Sequence, residues 1–240
     1  MVLLHPKSPG NVGAVARVCA NAGLGGLDLV GPLAWQDEAA YLDEARRRAR
    51  HAAPHLERMG RFHDLASAVA GASFVAGTSV RTAGPQRLAS PGIATREILD
   101  RATAGAVSVV FGREDRGMSV DELHLCDLKI HIPSSDDYPA WNLSHAVAVV
   151  AGSIREAAVA APEPHRPFPP SDLAPASHDT VERLFADLES LLSLVGYLDE
   201  NNPQRMMTEL RRILASRGLE ERDARILLGV LHQIRWALRR

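Results

Sequence analysis

Seven residues, Phe111-Gly112-Arg113-Glu114-Asp115-Arg116-Gly117, bring together two carboxylates, two guanidinium groups and two glycines. Glu114 and Asp115 could serve as an acid/base pair, although adjacent carboxylates in a turn more often face solvent. Gly112 and Gly117 have the G-x-x-x-x-G spacing of a phosphate loop. Met118-Ser119 stands where such a loop carries Lys-Ser/Thr, so nucleotide hydrolysis is not supported. Near the N-terminus, Gly10 and Gly13 supply only half of a G-x-G-x-x-G dinucleotide fingerprint. The ten histidines include no H-E-x-x-H pair, and the two cysteines, Cys19 and Cys126, make neither a zinc set nor a disulfide framework. Both lie in apolar patterns and read as buried thiols. No metal is expected.

The elements around this turn can be read from periodicity. The apolar run 107–111 has strand composition and stops at Gly112. Ser119 with Glu122 three residues on is a capping box that opens a short helix. Residues 128–132 read as a strand broken by Pro133. Asn142 opens a helix whose Leu143, Ala146, Val147 and Val150 fall at helical spacing. Earlier, 2–4 and 27–30 are short strands. A helix spans about 11–22, with Gly23 just past its end. Its apolar stripe is Val12, Val15, Ala16, Cys19 and Ala22. Arg17 lies off that stripe beside Gly13, Ala20 and Asn21, small neighbours that would let a ligand or a second chain approach. By position alone it is a solvated arginine. A later helical segment carries Arg46, Arg47, Arg48 and Arg50. Two readings of it stay open, a solvated face and a phosphate-contacting patch. Residues 73–76 are a third strand running into Gly77-Thr78-Ser79-Val80, and 82–90 read as loop. The order β-α-β-α-β-(loop, α)-β-α-β-α predicts an α/β domain, a mostly parallel sheet with helices on both faces.

Composition shifts near Ala157. Six prolines between 161 and 175 mark a linker at 161–177, which separates residues 1–160 from 178–240. Helices are predicted over 178–195, 206–214 and 223–238. From Pro203 to Arg240 nine arginines face four acids, a local charge of +5. This small helical extension is either a basic RNA-binding surface, with Arg211 and Arg212 among the contacts, or a soluble bundle with a charged exterior.

Three stretches in order carry a resemblance: Asn11-Val12-Gly13-Ala14-Val15-Ala16-Arg17, then FGREDRG after a strand, then Ile132-Pro133 followed by Tyr138-Pro139-Ala140-Trp141-Asn142-Leu143 opening a helix. Together they resemble the three motifs of the SpoU-type RNA 2'-O-ribose methyltransferases of the SPOUT class, over roughly residues 2–155. The C-terminal segment resembles the branch of bacterial tRNA methyltransferases acting on nucleotide 32 of the anticodon loop. The resemblance implies a C-terminal trefoil knot, which no pattern of elements could show. It implies S-adenosyl-L-methionine as cofactor, held by Thr78, Ser79, Val80, Gly112, Gly117, Ile132, Pro139, Ala140, Trp141 and Leu143. It implies a homodimer in which Arg17 acts across the interface and also touches RNA. Asn11, Arg17, Glu114 and Asn142 match the motif positions assigned to catalysis, with Glu114 expected to orient loops more than to transfer a proton. Trp141 is either a core anchor or a contact for the adenine ring. Ala140 stands where the family often has serine, so a hydroxyl is missing there. The implied substrate is tRNA, cytidine or uridine at nucleotide 32. Ribosomal RNA methylation and a non-catalytic RNA-binding role are the alternatives.

Composition limits how RNA would be held. At 240 residues, 46% hydrophobic and net charge −2, the chain can bury a normal core but has no global basic field. Any RNA contact must come from local patches. No signal peptide and no apolar run of membrane-spanning length is read from the sequence, and a reducing cytoplasm is expected.

Overall fold

The computed structural model describes residues 1–31, 37–81, 87–160, 174–198, 202–215 and 219–238. Of the predicted linker 161–177 and the predicted loop 82–90, residues 161–173 and 82–86 lie outside these. The chain divides into two compact units: Met1–Val69 with Phe74–Pro167, and Ala70–Ser73 with Phe168–Arg240.

The first unit is built on seven strands: β1 (Val2–Leu4), β2 (Asp28–Val30), β3 (Gly60–Phe62), β4 (Phe74–Thr78), β5 (Arg87–Ala89), β6 (Val107–Phe111) and β7 (Leu128–Ile130). They form one sheet in the order β3-β2-β1-β6-β4-β7-β5. Every pairing is parallel. Val2, Leu3 and Leu4 point alternately to opposite faces, yet all three are buried, so both faces at the centre of the sheet are covered. The helices are α1 (Pro9–Ala22), α2 (Glu38–Ala49), α3 (Ala53–Glu57), α4 (Leu65–Val69), α5 (Pro91–Ala102), α6 (Val120–His124) and α7 (Leu143–Ala160), with a 3-10 turn at Arg50–Ala52. One continuous core joins Leu3, Phe111 and Ile130 of the sheet to Val15 and Cys19 of α1, Tyr41 of α2 and Val147 of α7. Both cysteines are buried free thiols.

Several boundaries differ from the sequence reading. β3 and β5 were not expected. Each is three residues long, with exposed Arg61 or Arg87, so neither shows the apolar alternation of a strand. The third strand begins at Phe74 and β7 ends at Ile130, which leaves Ile132 in the following loop. The first helix starts at Pro9: Ser8 accepts a hydrogen bond from the Asn11 backbone N–H at 3.3 Å, and proline suits the first turn because its missing donor has no intrahelical partner there. Gly23 closes that helix at φ 69°. Gly13 also corrects the wheel. A Cβ there would lie 2.3 Å from the Ala45 carbonyl oxygen, so Gly13 is where α1 lies against α2 and does not open space beside Arg17. Finally, α7 is long and apolar enough to cross a membrane by length and composition. Its Leu143, Val147, Val150, Ala151 and Ile154 are buried in the fold, 28% of the helix, so one face packs on the core and the rest does not.

The second unit holds α8 (His178–Leu194), α9 (Pro203–Ala215) and α10 (Glu221–Leu238). Phe185, Leu198 and Met207 form its small core. The Glu221 carboxylate accepts from Ser177 N–H, the Thr180 hydroxyl and Arg225, joining the starts of α8 and α10.

Candidate active site

Because every strand is parallel, the loops after β1, β4, β6 and β7 leave the sheet on one edge. Open parallel sheets bind ligands at that edge. The three stretches singled out in the sequence all contribute to it.

The turn after β6 is tightly built. Gly112 has no room for a side chain, since a Cβ would meet the Gly117 carbonyl carbon at 2.4 Å and Met118 N at 2.5 Å. Arg113 and Gly117 exchange two backbone hydrogen bonds of 3.2 and 2.9 Å. Gly117 has φ +68°, a conformation L side chains rarely adopt, and a Cβ there would face open space. Arg113 then makes a bidentate pair with Glu122 at 2.8 and 2.9 Å. Glu122 also accepts from Ser119 N–H at 2.7 Å and completes the expected capping box. Burial opposes the charge on Glu122, but Arg113 and the Ser119 amide outweigh it and hold the carboxyl below its ordinary pKa.

Glu114 turns the other way, toward the start of α1. Its carboxylate accepts from Lys7 N–H at 3.0 and 3.1 Å, Ser8 N–H at 3.3 Å and the Asn11 side-chain amide at 3.2 Å. Asp115 is exposed and pairs with the Lys7 ammonium at 2.7 Å, which lowers its pKa. The buried Tyr41 hydroxyl donates to the Pro6 carbonyl at 2.9 Å. The loop after β1 is therefore held from two sides. His5 in that loop has φ 42°, and its ring occupies the space a side chain on Gly31 would need. Burial and the nearby Arg113 push its pKa down.

The remaining predicted positions lie in the loops after β4 and β7. The Thr78 hydroxyl donates to Val110 C=O at 3.2 Å, Ser79 N–H donates to Ile130 C=O at 2.9 Å, and Val80 is exposed. Ile132 and Leu143 are buried. Trp141 is 46% exposed, so it is not a core anchor; its indole N–H donates to Pro133 C=O at 3.1 Å. The Ser134 hydroxyl donates to Pro139 C=O at 2.8 Å, and Ala140 is exposed beside it. Asn142 caps α7, its side-chain oxygen accepting from Ser144 N–H at 3.0 Å and the Ser144 hydroxyl at 2.8 Å.

A model of the SpoU rRNA Methylase family matches residues 1–152. The chain belongs to the SpoU methylase family. Residues 179–240 of this SpoU methylase match a second family, the C-terminal domain of the tRNA methyltransferase TrmJ. The tRNA (cytidine/uridine-2'-O-)-methyltransferase TrmJ of Cronobacter sakazakii is 33% identical over 236 residues, covering 98% of this chain and 94% of the relative. The tRNA (cytidine/uridine/adenosine-2'-O-)-methyltransferase TrmJ of Pseudomonas aeruginosa is 33% identical over 239 residues, covering 96% and 91%. The crystal structure of TrmJ from Z. mobilis superimposes with a TM-score of 0.78 at 26% identity, covering 98% and 97%.

Arg17 of the SpoU methylase stays apart from the cluster. It is exposed on α1, with no hydrogen bond or ion pair among the described residues. The predicted RNA contacts elsewhere are engaged locally. Arg46 pairs with Asp43, and Arg47 and Arg48 both pair with Glu44 on their own helix. Arg211 makes a fork with Glu182 at 2.6 and 2.8 Å and lies 4.3 Å from the centre of the Phe185 ring, so it braces α8 against α9. Arg212 pairs with Glu209. Sequence reasoning missed Lys7, Ser8, Tyr41 and the Arg113–Glu122 pair. Two signals were present: Lys7 is one of only two lysines among 27 basic residues, and Ser8-Pro9 is a capping pair.

Proposed function

We propose that this SpoU methylase transfers a methyl group from S-adenosyl-L-methionine to the 2'-hydroxyl of cytidine or uridine at nucleotide 32 of tRNA, in the cytoplasm and as a homodimer. One observation carries the reading. The Glu114 carboxylate draws the start of α1 onto the β6 turn, so motif residues more than a hundred positions apart share one sheet edge. The names of the 33%-identical relatives support tRNA as the substrate class.

The loops after β4, β6 and β7 fit the cofactor. They adjoin one another, Gly117 leaves open space, and exposed Val80 and Trp141 offer apolar surface to a purine. Ser79, Val80, Gly112, Gly117, Ile132, Pro139, Ala140, Trp141 and Leu143 would hold it, largely through backbone. Thr78 contributes less by its hydroxyl, which is already bonded to Val110. When bound, the cofactor supplies an electrophilic methyl group. β7, later in the chain, lies between β4 and β5, the insertion a C-terminal knot requires.

The ribose hydroxyl must lose its proton as its oxygen forms the new C–O bond. A guanidinium beside the developing alkoxide is worth about 3–4 kcal/mol in a site that excludes water. Arginine stays protonated, so Arg17 stabilises charge while phosphate or water takes the proton. Asn11, Glu114 and Asn142 act by fixing backbone: Asn11 and Glu114 set where α1 begins, and Asn142 starts α7. Arg17 lies six residues past Asn11, about 9 Å further along the helix axis. The helix joins two neighbouring parallel strands, so it runs back from the cofactor edge. Arg17 is thus carried away from this chain's own cofactor loops, which supports its acting on a second copy in a homodimer.

The family's name keeps ribosomal RNA as a second reading. Incubation of wild-type protein with labelled cofactor and total tRNA or ribosomal RNA, followed by mapping of the product nucleotide, separates the two. Label at nucleotide 32 of tRNA is expected. Label confined to ribosomal RNA, or none, refutes the proposal.

A further inference from the structure

The polar side chains of the β6 turn divide by direction. Arg113 is locked to Glu122, Glu114 to the start of α1, and Asp115 to Lys7. Arg116 is left over. It is exposed and has no hydrogen bond or ion pair among the described residues. One strand away, β4 pairs with β6 in parallel, Gly77 opposite Val110, so Arg81 leaves the sheet on the same edge. Arg81 is also exposed, and its guanidinium has no partner among the described residues; its backbone N–H donates to the Ser79 hydroxyl at 3.0 Å. Adjacent strands stand about 4.8 Å apart. Two exposed guanidinium groups, unpaired among the described residues, thus follow neighbouring strand ends beside the cofactor loops. Other arginines without a partner among the described residues lie elsewhere, such as Arg58, which precedes β3 and belongs to the opposite edge of the sheet.

We infer that Arg116 and Arg81 form an RNA-phosphate clamp in the methyltransferase unit, holding the strand that presents the target ribose. The inference rests on the tRNA reading above and deepens it. Arginine matches phosphate bidentately, and its charge needs no tuning. The turn is pre-organised by three tethers, so Arg116 approaches RNA from a fixed backbone. In a protein of net charge −2, whose predicted patches at Arg46–Arg48 and Arg211 are already paired, these two groups are available without breaking an ion pair among the described residues.

The test measures affinity for an unmodified tRNA transcript across a salt series, for wild type, Arg116→Ala, Arg81→Ala, Arg116→Lys and the control Arg58→Ala. Removing one phosphate-binding cation should lower the slope of log affinity against log salt by about 0.7 to 0.9. Arg116→Ala and Arg81→Ala are each expected to show that drop, with tRNA affinity about five- to tenfold weaker at 0.1 M salt. Arg116→Lys should keep the slope. Arg58→Ala should match wild type, and cofactor affinity by calorimetry should not change in any variant. Slopes for Arg116→Ala and Arg81→Ala equal to that of Arg58→Ala overturn the clamp. Loss of cofactor binding in Arg116→Ala overturns it as well, by showing that the residue supports the turn. If wild type methylates tRNA while both alanine variants bind it normally, only the clamp falls. Wild-type protein that binds no tRNA removes the clamp and the tRNA reading together.

Discussion

Replacing Glu114 by glutamine tests how much methyl transfer depends on the position of α1. The carboxylate accepts from three donors: Lys7 N–H, Ser8 N–H and the Asn11 amide. Glutamine keeps the shape and one acceptor oxygen, but turns an NH2 group toward the Lys7 amide. Hydrogen bonds to a charged acceptor are worth roughly 1.5–3 kcal/mol against about 0.5–1.5 for neutral ones. Over three donors the loss is about 3 kcal/mol, and water reaching this half-buried site reduces it to about 2 kcal/mol. At about 1.4 kcal/mol per tenfold, single-turnover methyl transfer with saturating cofactor should slow about 10- to 30-fold. Amide exchange at Lys7 and Ser8 should quicken, and cofactor affinity should change less, because the Arg113–Glu122 fork still holds the turn. Asn11→Ala should cost less alone and add little to Glu114→Gln, since the two side chains share one bond. A Glu114→Gln enzyme within twofold of wild type, with unchanged exchange at Lys7 and Ser8, would refute the argument.

Other outcomes follow from the same geometry. Arg17→Ala should leave cofactor binding intact and lower methyl transfer by about two orders of magnitude or more; mixing it with Gly112→Trp subunits should restore activity if the arginine acts across a dimer, and active Arg17→Ala homodimers would exclude it from the chemistry. Glu122 has a depressed folded pKa, so its stabilisation is complete above the ordinary glutamate value of 4.5 and is lost as pH falls through the folded pKa. Thermal melts from pH 6 to pH 3 should fall more steeply for wild type than for Glu122→Gln, and parallel curves would contradict the pairing. Gly13→Val should destabilise the fold by about 3 kcal/mol in denaturant titration, the upper end for overpacking, because the new side chain overlaps the backbone of α2. Ala140→Ser should change turnover less than about tenfold if backbone amides hold the cofactor there; a far larger gain would mean the hydroxyl matters.

What the sequence revealed was local. The Ser119–Glu122 box, Gly23 past the first helix and Asn142 at the head of α7 each announce themselves within four residues, because capping is a short-range hydrogen bond. The parallel α/β class followed from the alternation of elements. The sheet order did not, because strand partners are chosen across long separations: β1 pairs with β6, and β7 enters beside β4. The partners of Glu114 lie 103 to 107 residues away, so the residue was visible and its bonds were not. Gly13 shows the limit of a helical wheel, which cannot say that a second helix lies against the small face. The paired state of Arg46, Arg47 and Arg48 was closer to hand, since Asp43 and Glu44 stand three and four residues before them.

The place of β1 has a consequence for synthesis. It lies between β2 and β6, yet more than a hundred residues separate it from β6. On the ribosome, β1, β2 and β3 can assemble early, but one side of β1 keeps unpaired amides and carbonyls until residues 107–111 emerge. An exposed strand edge is a template for pairing with another chain. The nascent protein therefore carries an open edge through nearly half its translation, and the same turn that later anchors α1 through Glu114 emerges just as that edge is closed.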